Sequence, residues 1–225
     1  MVSAVSKNDG NFHLGRFDDY RLIYSDTTGR MRQFGFKYDD NIDLPAGWSE
    51  LYFCGDEILY YPQYLNSIYS VTDSAIRQKY IIDCRNFTPF DQKRIAQYND
   101  WDKFCEYWYS TTNLESKIAE TGDHLYFGVN NKRQLQYYFY NKRTQTLTGF
   151  KTMLLDREFA VEFSRLYSYG EYFVGTAPVP LLKELKAYKD RMGEQMSDGI
   201  GDMIDRLKEE DNDVLVLFKL KQPEA

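Results

Sequence analysis

In the stretch from Glu50 to Asp83, short apolar runs alternate with turn-forming residues. The rest of the chain can be compared with this pattern. Four runs rich in Tyr, Ile, Leu and Phe follow one another, at Leu51–Cys54, Ile58–Tyr61, Ser67–Val71 and Ile76–Ile82. Such residues favour half-buried strands. The breaks between the runs hold residues that favour turns, namely Gly55-Asp56, Pro62 with Asn66, and Asp73-Ser74. Four strands in about 35 residues predict one antiparallel sheet, the unit of a β-propeller blade.

The same pattern returns further along the chain. Leu114–Thr121 predicts a strand, and Gly122-Asp123 then stands where Gly55-Asp56 stands in the earlier unit. The run Gly122–Phe127 echoes Gly55–Tyr61, and strands at Gln134–Tyr140 and at Thr146–Leu154 complete this second unit. A repeated unit favours a propeller over a sandwich.

Incomplete units are predicted at both ends. The first has strands at Phe12–Phe17, Tyr20–Ser25 and Met31–Phe36, and it lacks a strand unless residues 1–8 supply it. The last has strands at Val161–Tyr167, Glu171–Gly175 and Val214–Leu220. Closed propellers often complete their last blade with a strand from the other terminus, which removes exposed sheet edges.

Two regions have helical periodicity. Asp100–Tyr109 places Trp101, Phe104, Cys105 and Trp108 on one face of a short helix, which either packs on the blades or acts as a binding lid. Residues 181–210 predict two helices with a bend near Gly193, Gly199 and Gly201. The prediction is therefore an all-β, single β-propeller-like domain over residues 1–225. It has about four blades of four antiparallel strands, and a helical insertion at 181–210 within the last blade.

Composition and charge exclude some classes of protein. The net charge is −6 and no basic block occurs, which argues against a nucleic-acid partner. No apolar run approaches the ~20 residues of a membrane span. The opening residues Met1–Lys7 do not form a signal peptide, so we expect a cytosolic protein or a chain that begins after a removed N-terminus.

The three cysteines, Cys54, Cys84 and Cys105, include no CxxC pair, which argues against a disulfide framework and a zinc site. Buried free thiols are favoured over the alternative, a Cys54–Cys84 bridge. The sequence leaves the role of these cysteines open.

Candidate chemistry is sparse, and we predict no catalytic residue, no metal site and no cofactor. The two histidines are His13 and His124, and His124 is interpreted as a solvated turn residue after Asp123. Two acidic stretches offer oxygens to Ca²⁺ but lack the pattern of an EF-hand loop, so surface turns are favoured at Asp39–Asp43 and at Asp211-Asn212-Asp213. Three tyrosines form either a sugar-stacking platform or, as favoured, part of the core: Tyr60, Tyr61 and Tyr64.

Three stretches resemble the six-bladed β-propeller proteins of Bacteroides and related gut bacteria. They are Ile58–Val71 (ILYYPQYLNSIYSV), Lys79–Asp83 (KYIID) and Glu210–Leu220 (EDNDVLVLFKL). The likeness covers most of residues 20–221, and it concerns structure rather than chemistry. Because members have room for six blades, this chain resembles the C-terminal two thirds of one. Many members look like exported lipoproteins, so the resemblance implies a periplasmic or cell-surface location, although this chain shows no signal peptide.

Three hypotheses of function follow. The first is a non-enzymatic binding or scaffolding module at the cell envelope, with a protein or carbohydrate ligand and binding residues that the sequence does not identify. The second is a lyase or hydrolase that uses carboxylates of the propeller channel. The third is a truncated fragment that depends on a partner and self-associates through open blade edges.

Overall fold

The computed structural model describes residues 2–4, 15, 19–37, 50–55, 57–62, 65–98, 100–150, 154–155, 159–160 and 162–220. The first sheet has the order β1-β2-β3 and comprises β1 (Val2–Ala4), β2 (Tyr20–Ser25) and β3 (Met31–Lys37). Residues 2–4 thus supply the strand that the sequence left open, because β1 pairs directly with β2. The strand predicted at Phe12–Phe17 lies outside the described residues except for Gly15, whose φ of 55° is left-handed rather than extended.

The second sheet confirms the blade predicted at 50–83. Its strands are β4 (Glu50–Cys54), β5 (Glu57–Tyr61), β6 (Ser67–Val71) and β7 (Ile76–Ile81), in the order β4-β5-β6-β7. It packs on the first sheet through aromatic rings. The Phe36 ring lies 4.9 Å from Tyr60 and 4.6 Å from Tyr69, centroid to centroid, and Leu22 and Val71 are buried beside them. Apolar burial of this kind is the main favourable term in folding.

The third sheet follows a 3₁₀ helix at Gln92–Gln97 and helix α1 (Trp101–Ser110). Its order is β11-β10-β9-β8, from β8 (Thr112–Glu120), β9 (His124–Asn131), β10 (Gln134–Asn141) and β11 (Thr146–Phe150). The last predicted strand, Thr146–Leu154, is too long, because β11 ends at Phe150. A separate ribbon follows, in which β12 (Leu154–Leu155) pairs with β13 (Phe159–Ala160).

The fourth sheet carries the helical insertion. It has the order β14-β15-β16, from β14 (Glu162–Tyr169), β15 (Tyr172–Ala177) and β16 (Val214–Phe218). Helices α2 (Val179–Met192) and α3 (Asp198–Arg206) lie between β15 and β16 in the chain, as predicted. Gly193 ends α2 with a φ of 74°, which a residue without a Cβ adopts without strain. Gly199 and Gly201 lie within α3 rather than at the break.

The chain forms two compact units. One holds Met1–Ser116 with Phe127–Gln136, and the other holds Lys117–Tyr126 with Tyr137–Ala225. In the second unit Phe139 lies 5.1 Å from Phe173 and 5.3 Å from Phe150, centroid to centroid. The all-β prediction, with four blade-like sheets and an inserted helical segment, is confirmed. The single domain over residues 1–225 stays a prediction.

Candidate functional site

Helix α1 begins and packs as its sequence dictates. The Asp100 carboxylate caps it by accepting hydrogen bonds from the backbone N–H groups of Asp102 (2.9 Å) and Lys103 (3.3 Å). Phe104 and Trp108 are buried, and Phe90 contacts both of their rings. Packing of the predicted apolar face is therefore confirmed for these two residues, whereas Trp101 at the start of the helix remains 44% exposed.

A buried polar cluster fixes the C-terminal end of α1 to the third sheet. The Trp108 carbonyl accepts hydrogen bonds from the Thr111 hydroxyl (2.8 Å) and the Asn113 amide (3.0 Å). The Asn130 amide of β9 donates to the Thr111 carbonyl at 3.2 Å. Carbonyls at a helix end have no partner within the helix, and these side chains satisfy them. The end of α1 therefore has a fixed position beside β8 and β9.

The hairpin between β9 and β10 turns at Lys132-Arg133. Both residues have positive φ, 51° and 68°, which suits the twist of a two-residue hairpin but is unfavourable for residues with a Cβ. The Lys132 N–H donates to the Thr111 carbonyl at 3.2 Å, so the turn is tied to the end of α1. Among the described residues, Arg133 has no ion pair, and its side chain is exposed.

An open cavity of about 590 Å³ lies between α1 and this hairpin. One stripe of the helix lines it, at the spacing i, i+3, i+4, i+7: Asp102, Cys105, Glu106 and Tyr109. The sheet contributes Glu115, Asn130, Arg133 and Leu135. The cavity thus combines three carboxylates, one guanidinium and a tyrosine ring that is 45% exposed. Its volume falls in the range of small-molecule and side-chain binding sites, about 300–1,000 Å³.

This cavity was not predicted from the sequence, although part of its residue pattern is visible there. The stripe from Asp102 to Tyr109 is the neighbour of the apolar stripe that predicted the helix. The sheet residues carry no such signal, because strand register rather than spacing brings them to the helix. One face of α1 therefore packs, as the first hypothesis for this helix predicts. The adjacent face lines a cavity, so the second hypothesis, a role in binding, concerns that face.

The family of the chain follows from comparison with known proteins. Residues 6–176 match the family described as a 6-bladed beta-propeller, which is most of the chain. The chain belongs to this family. The resemblance noted in the sequence is thereby confirmed, and the four blade-like sheets are those of a propeller.

One solved structure shows the same fold. It is the crystal structure of a Bacteroides fragilis protein named "Putative exported protein", with a TM-score of 0.68 and 16% sequence identity. The match covers 91% of this chain and 58% of that protein, so the propeller chain spans less than two thirds of its length. At this identity the likeness concerns the fold alone. No curated protein matches the chain.

The prediction that His124 is a solvated turn residue is wrong. The residue is 7% exposed rather than solvated, because it begins β9 inside a polar cluster of the propeller's third sheet. The Asn141 amide lies 3.1 Å from its Nε2 atom, and Lys142 binds the Glu120 carboxylate at 2.8 Å nearby. Burial lowers the pKa of His124, Asp123 opposes this effect, and Lys142 adds to it. His13 lies outside the described residues.

The tyrosine cluster belongs to the core where it is described. Tyr60 and Tyr61 are buried, and the Tyr61 hydroxyl donates to the Leu114 carbonyl at 2.6 Å. A buried ring cannot serve as a stacking surface, so the core interpretation is confirmed for these two. Tyr64 lies outside the described residues.

Cys54, Cys84 and Cys105 are free thiols, which is the alternative that the sequence favoured over a Cys54–Cys84 bridge. Only Cys84 is fully buried, and burial raises the pKa of its thiol to about 11. Burial, followed by the charge of Asp102, also raises the pKa of the Cys105 thiol in the cavity wall.

No metal centre is found at the acidic stretches where the structure describes them. Asp39–Asp43 lies outside the described residues, and Asp211 accepts a hydrogen bond from the Lys208 N–H at 2.7 Å in an exposed turn. Within the described ranges, no three His, Cys, Asp or Glu side chains cluster closely enough to hold a metal ion. None of the helices in those ranges is long and apolar enough to span a membrane.

Proposed function

We propose that the chain is a binding or scaffolding module whose ligand occupies the cavity beside α1. The observation that supports this proposal is an open cavity with a polar and aromatic lining, whose two walls, the end of α1 and the β9–β10 hairpin, are joined by hydrogen bonds of Asn130 and Lys132 to the Thr111 carbonyl. Fixed walls favour binding because little conformational entropy is lost when the ligand arrives. Protein segments and carbohydrates are the two ligand classes that the residues suit.

A location at the cell envelope is part of the proposal. It is supported by the name of the Bacteroides fragilis protein with the same fold and by the family resemblance of the sequence. We also propose that two chains can associate, since the fourth sheet leaves an apolar face exposed that includes Tyr169, Leu215 and Leu217.

The experiment uses Cys105 as a reporter of occupancy, because its thiol lines the cavity. Alkylation of the intact chain is followed by mass spectrometry of its peptides at alkaline pH, with Cys54 as the reference thiol. A short Lys–Gly peptide, a short Glu–Gly peptide and a neutral oligosaccharide are added in turn. We expect one of them to slow alkylation of Cys105 saturably while that of Cys54 is unchanged. If none does so, the proposal is wrong.

An enzymatic alternative rests on one observation, the presence of the Asp102, Glu106 and Glu115 carboxylates in one cavity. Paired carboxylates serve lyases and hydrolases as general acids and bases. Chromatography of the probe that protects Cys105 distinguishes the two functions, since a binding module returns it unchanged and an enzyme yields products.

A further inference from the structure

We infer that the cavity beside α1 takes a Lys- or Arg-bearing peptide segment of a partner protein, with its cation held against Asp102 and Glu106. The inference rests on the proposed function and specifies its ligand. Five features of the cavity carry it: the balance of charge, the spacing on the helix, the aromatic ring, the guanidinium of Arg133 and the size.

The balance of charge favours a cation. Glu115 has an interaction of its own, and setting it aside leaves the Asp102 and Glu106 carboxylates with one guanidinium, that of Arg133, in the lining of the cavity. Asp102 and Glu106 form no ion pair with any described residue. Both side chains are exposed, and a cation that contacts them gains a charge–charge attraction that a neutral sugar lacks.

The spacing of Asp102 and Glu106 supports the same ligand. The two side chains lie at i and i+4 on one face of α1, where like charges repel and destabilise a helix. A cation placed between them replaces this repulsion with two attractions. The bound state therefore gains from an arrangement that is unfavourable in the free protein.

Tyr109 lies one turn beyond Glu106 on the same stripe of α1. Its exposed ring adds an aromatic surface to the site that would bind the cation. An ammonium or guanidinium group within about 6 Å of a tyrosine ring is attracted by the ring electrons. A cation–π pair of this kind occurs elsewhere in the chain, where the Lys219 Nζ atom lies 4.4 Å from the Tyr172 ring centroid. The ring also covers the aliphatic stem of a Lys or Arg side chain, which a small inorganic cation lacks.

Arg133 offers hydrogen-bond donors on the side of the cavity opposite the helix carboxylates. Its guanidinium lies on the hairpin side of the cavity and has no ion pair among the described residues. Guanidinium groups donate to carbonyl and carboxylate oxygens, which every peptide backbone or C-terminus provides. A peptide with a basic side chain therefore meets acceptors on the helix and a donor on the hairpin. A cavity of about 590 Å³ holds a few side chains rather than a folded domain.

The test measures binding of the short Lys–Gly peptide by calorimetry at low and at physiological salt. We expect the peptide to protect Cys105, and we expect Glu106→Gln or Asp102→Asn to weaken binding about 2- to 5-fold each, as for solvent-accessible ion pairs. Tyr109→Ala should weaken binding and Tyr109→Phe should preserve it. Added salt should weaken binding of the wild type more than that of the charge variants.

Glu184→Gln is the matched control, because Glu184 is an exposed glutamate on helix α2 that is not among the residues lining the cavity. The wild-type affinity should be retained in this variant, which excludes a general effect of the net charge of −6. Protection of Cys105 by the neutral oligosaccharide or the Glu–Gly peptide, and not by Lys–Gly, would overturn the inference while the proposed function stands. Protection by none of the three probes would overturn both.

Discussion

At the scale of single residues, His124 shows how burial changes the properties of a side chain. The Asn141 Oδ1 atom accepts hydrogen bonds from the N–H groups of Arg143 and Thr144, both at 3.0 Å, so its amide NH₂ faces His124. The Nε2 atom of His124 must therefore accept, and the ring is neutral. Protonation would break this contact and add a positive charge near Lys142.

The free energy of unfolding should fall as the pH falls below 6.5, the ordinary pKa of histidine. The pKa of His124 is lowered in the folded chain, so between that lowered pKa and 6.5 the unfolded chain binds more protons. Urea unfolding at pH values on both sides of this window measures the loss. His124→Gln should show a smaller loss than the wild type, whatever its stability at neutral pH. An equal loss in both proteins would contradict the prediction.

At the scale of elements, the β9–β10 hairpin contains a strained residue whose replacement should stabilise the fold. Arg133 has a φ of 68°, and this left-handed conformation costs a residue with a Cβ about 1–2 kcal/mol. Arg133→Gly should raise the free energy of unfolding by about 0.5–1 kcal/mol, because part of the relief is offset by the greater entropy of glycine in the unfolded chain. Denaturant midpoints measure the change.

Arg133→Ala is the control, since it removes the same charge and side chain but keeps the strained φ. It should give no gain in the free energy of unfolding. If the alanine and glycine variants are equally stabilised, the gain comes from loss of the charge rather than from the backbone. By the inference above, both variants should bind the Lys–Gly peptide more weakly, because both lose the donor that Arg133 provides.

The same scale shows which features local sequence predicts. The blade at 50–83 was predictable because apolar alternation and turn residues act within each hairpin, and α1 because Phe104 and Trp108 share one helical face. The environment of His124 was not, since Asn141 and Lys142 reach it only through the register of neighbouring strands. Nor was the turn at Lys132-Arg133, where neither Asn nor Gly marks the left-handed conformation.

At the scale of the whole molecule, the fourth sheet has two apolar faces. Phe173 and Phe218 lie on one face, within the buried cluster of their unit. On the other face the register sets Tyr167 beside Val174 and Leu217, and Tyr169 beside Tyr172. Leu215 follows on this face and is 66% exposed, and Tyr169 is 73% exposed. Soluble monomers rarely expose a contiguous apolar patch of this kind, so it marks a surface that another chain can cover.

Two copies that cover this face with each other would form an isologous contact. We therefore expect light scattering to show a mass that rises above 26.7 kDa as the chain is concentrated. Leu217→Lys should shift association to higher concentration, because a charged side chain at the centre of the patch must be desolvated on contact. Leu147→Lys is the matched control, since Leu147 is 56% exposed on β11 and lies on a different sheet. A wild-type chain that remains monomeric at all concentrations would show that the exposed face is not covered by a second copy. Equal effects of the two substitutions would place the contact elsewhere.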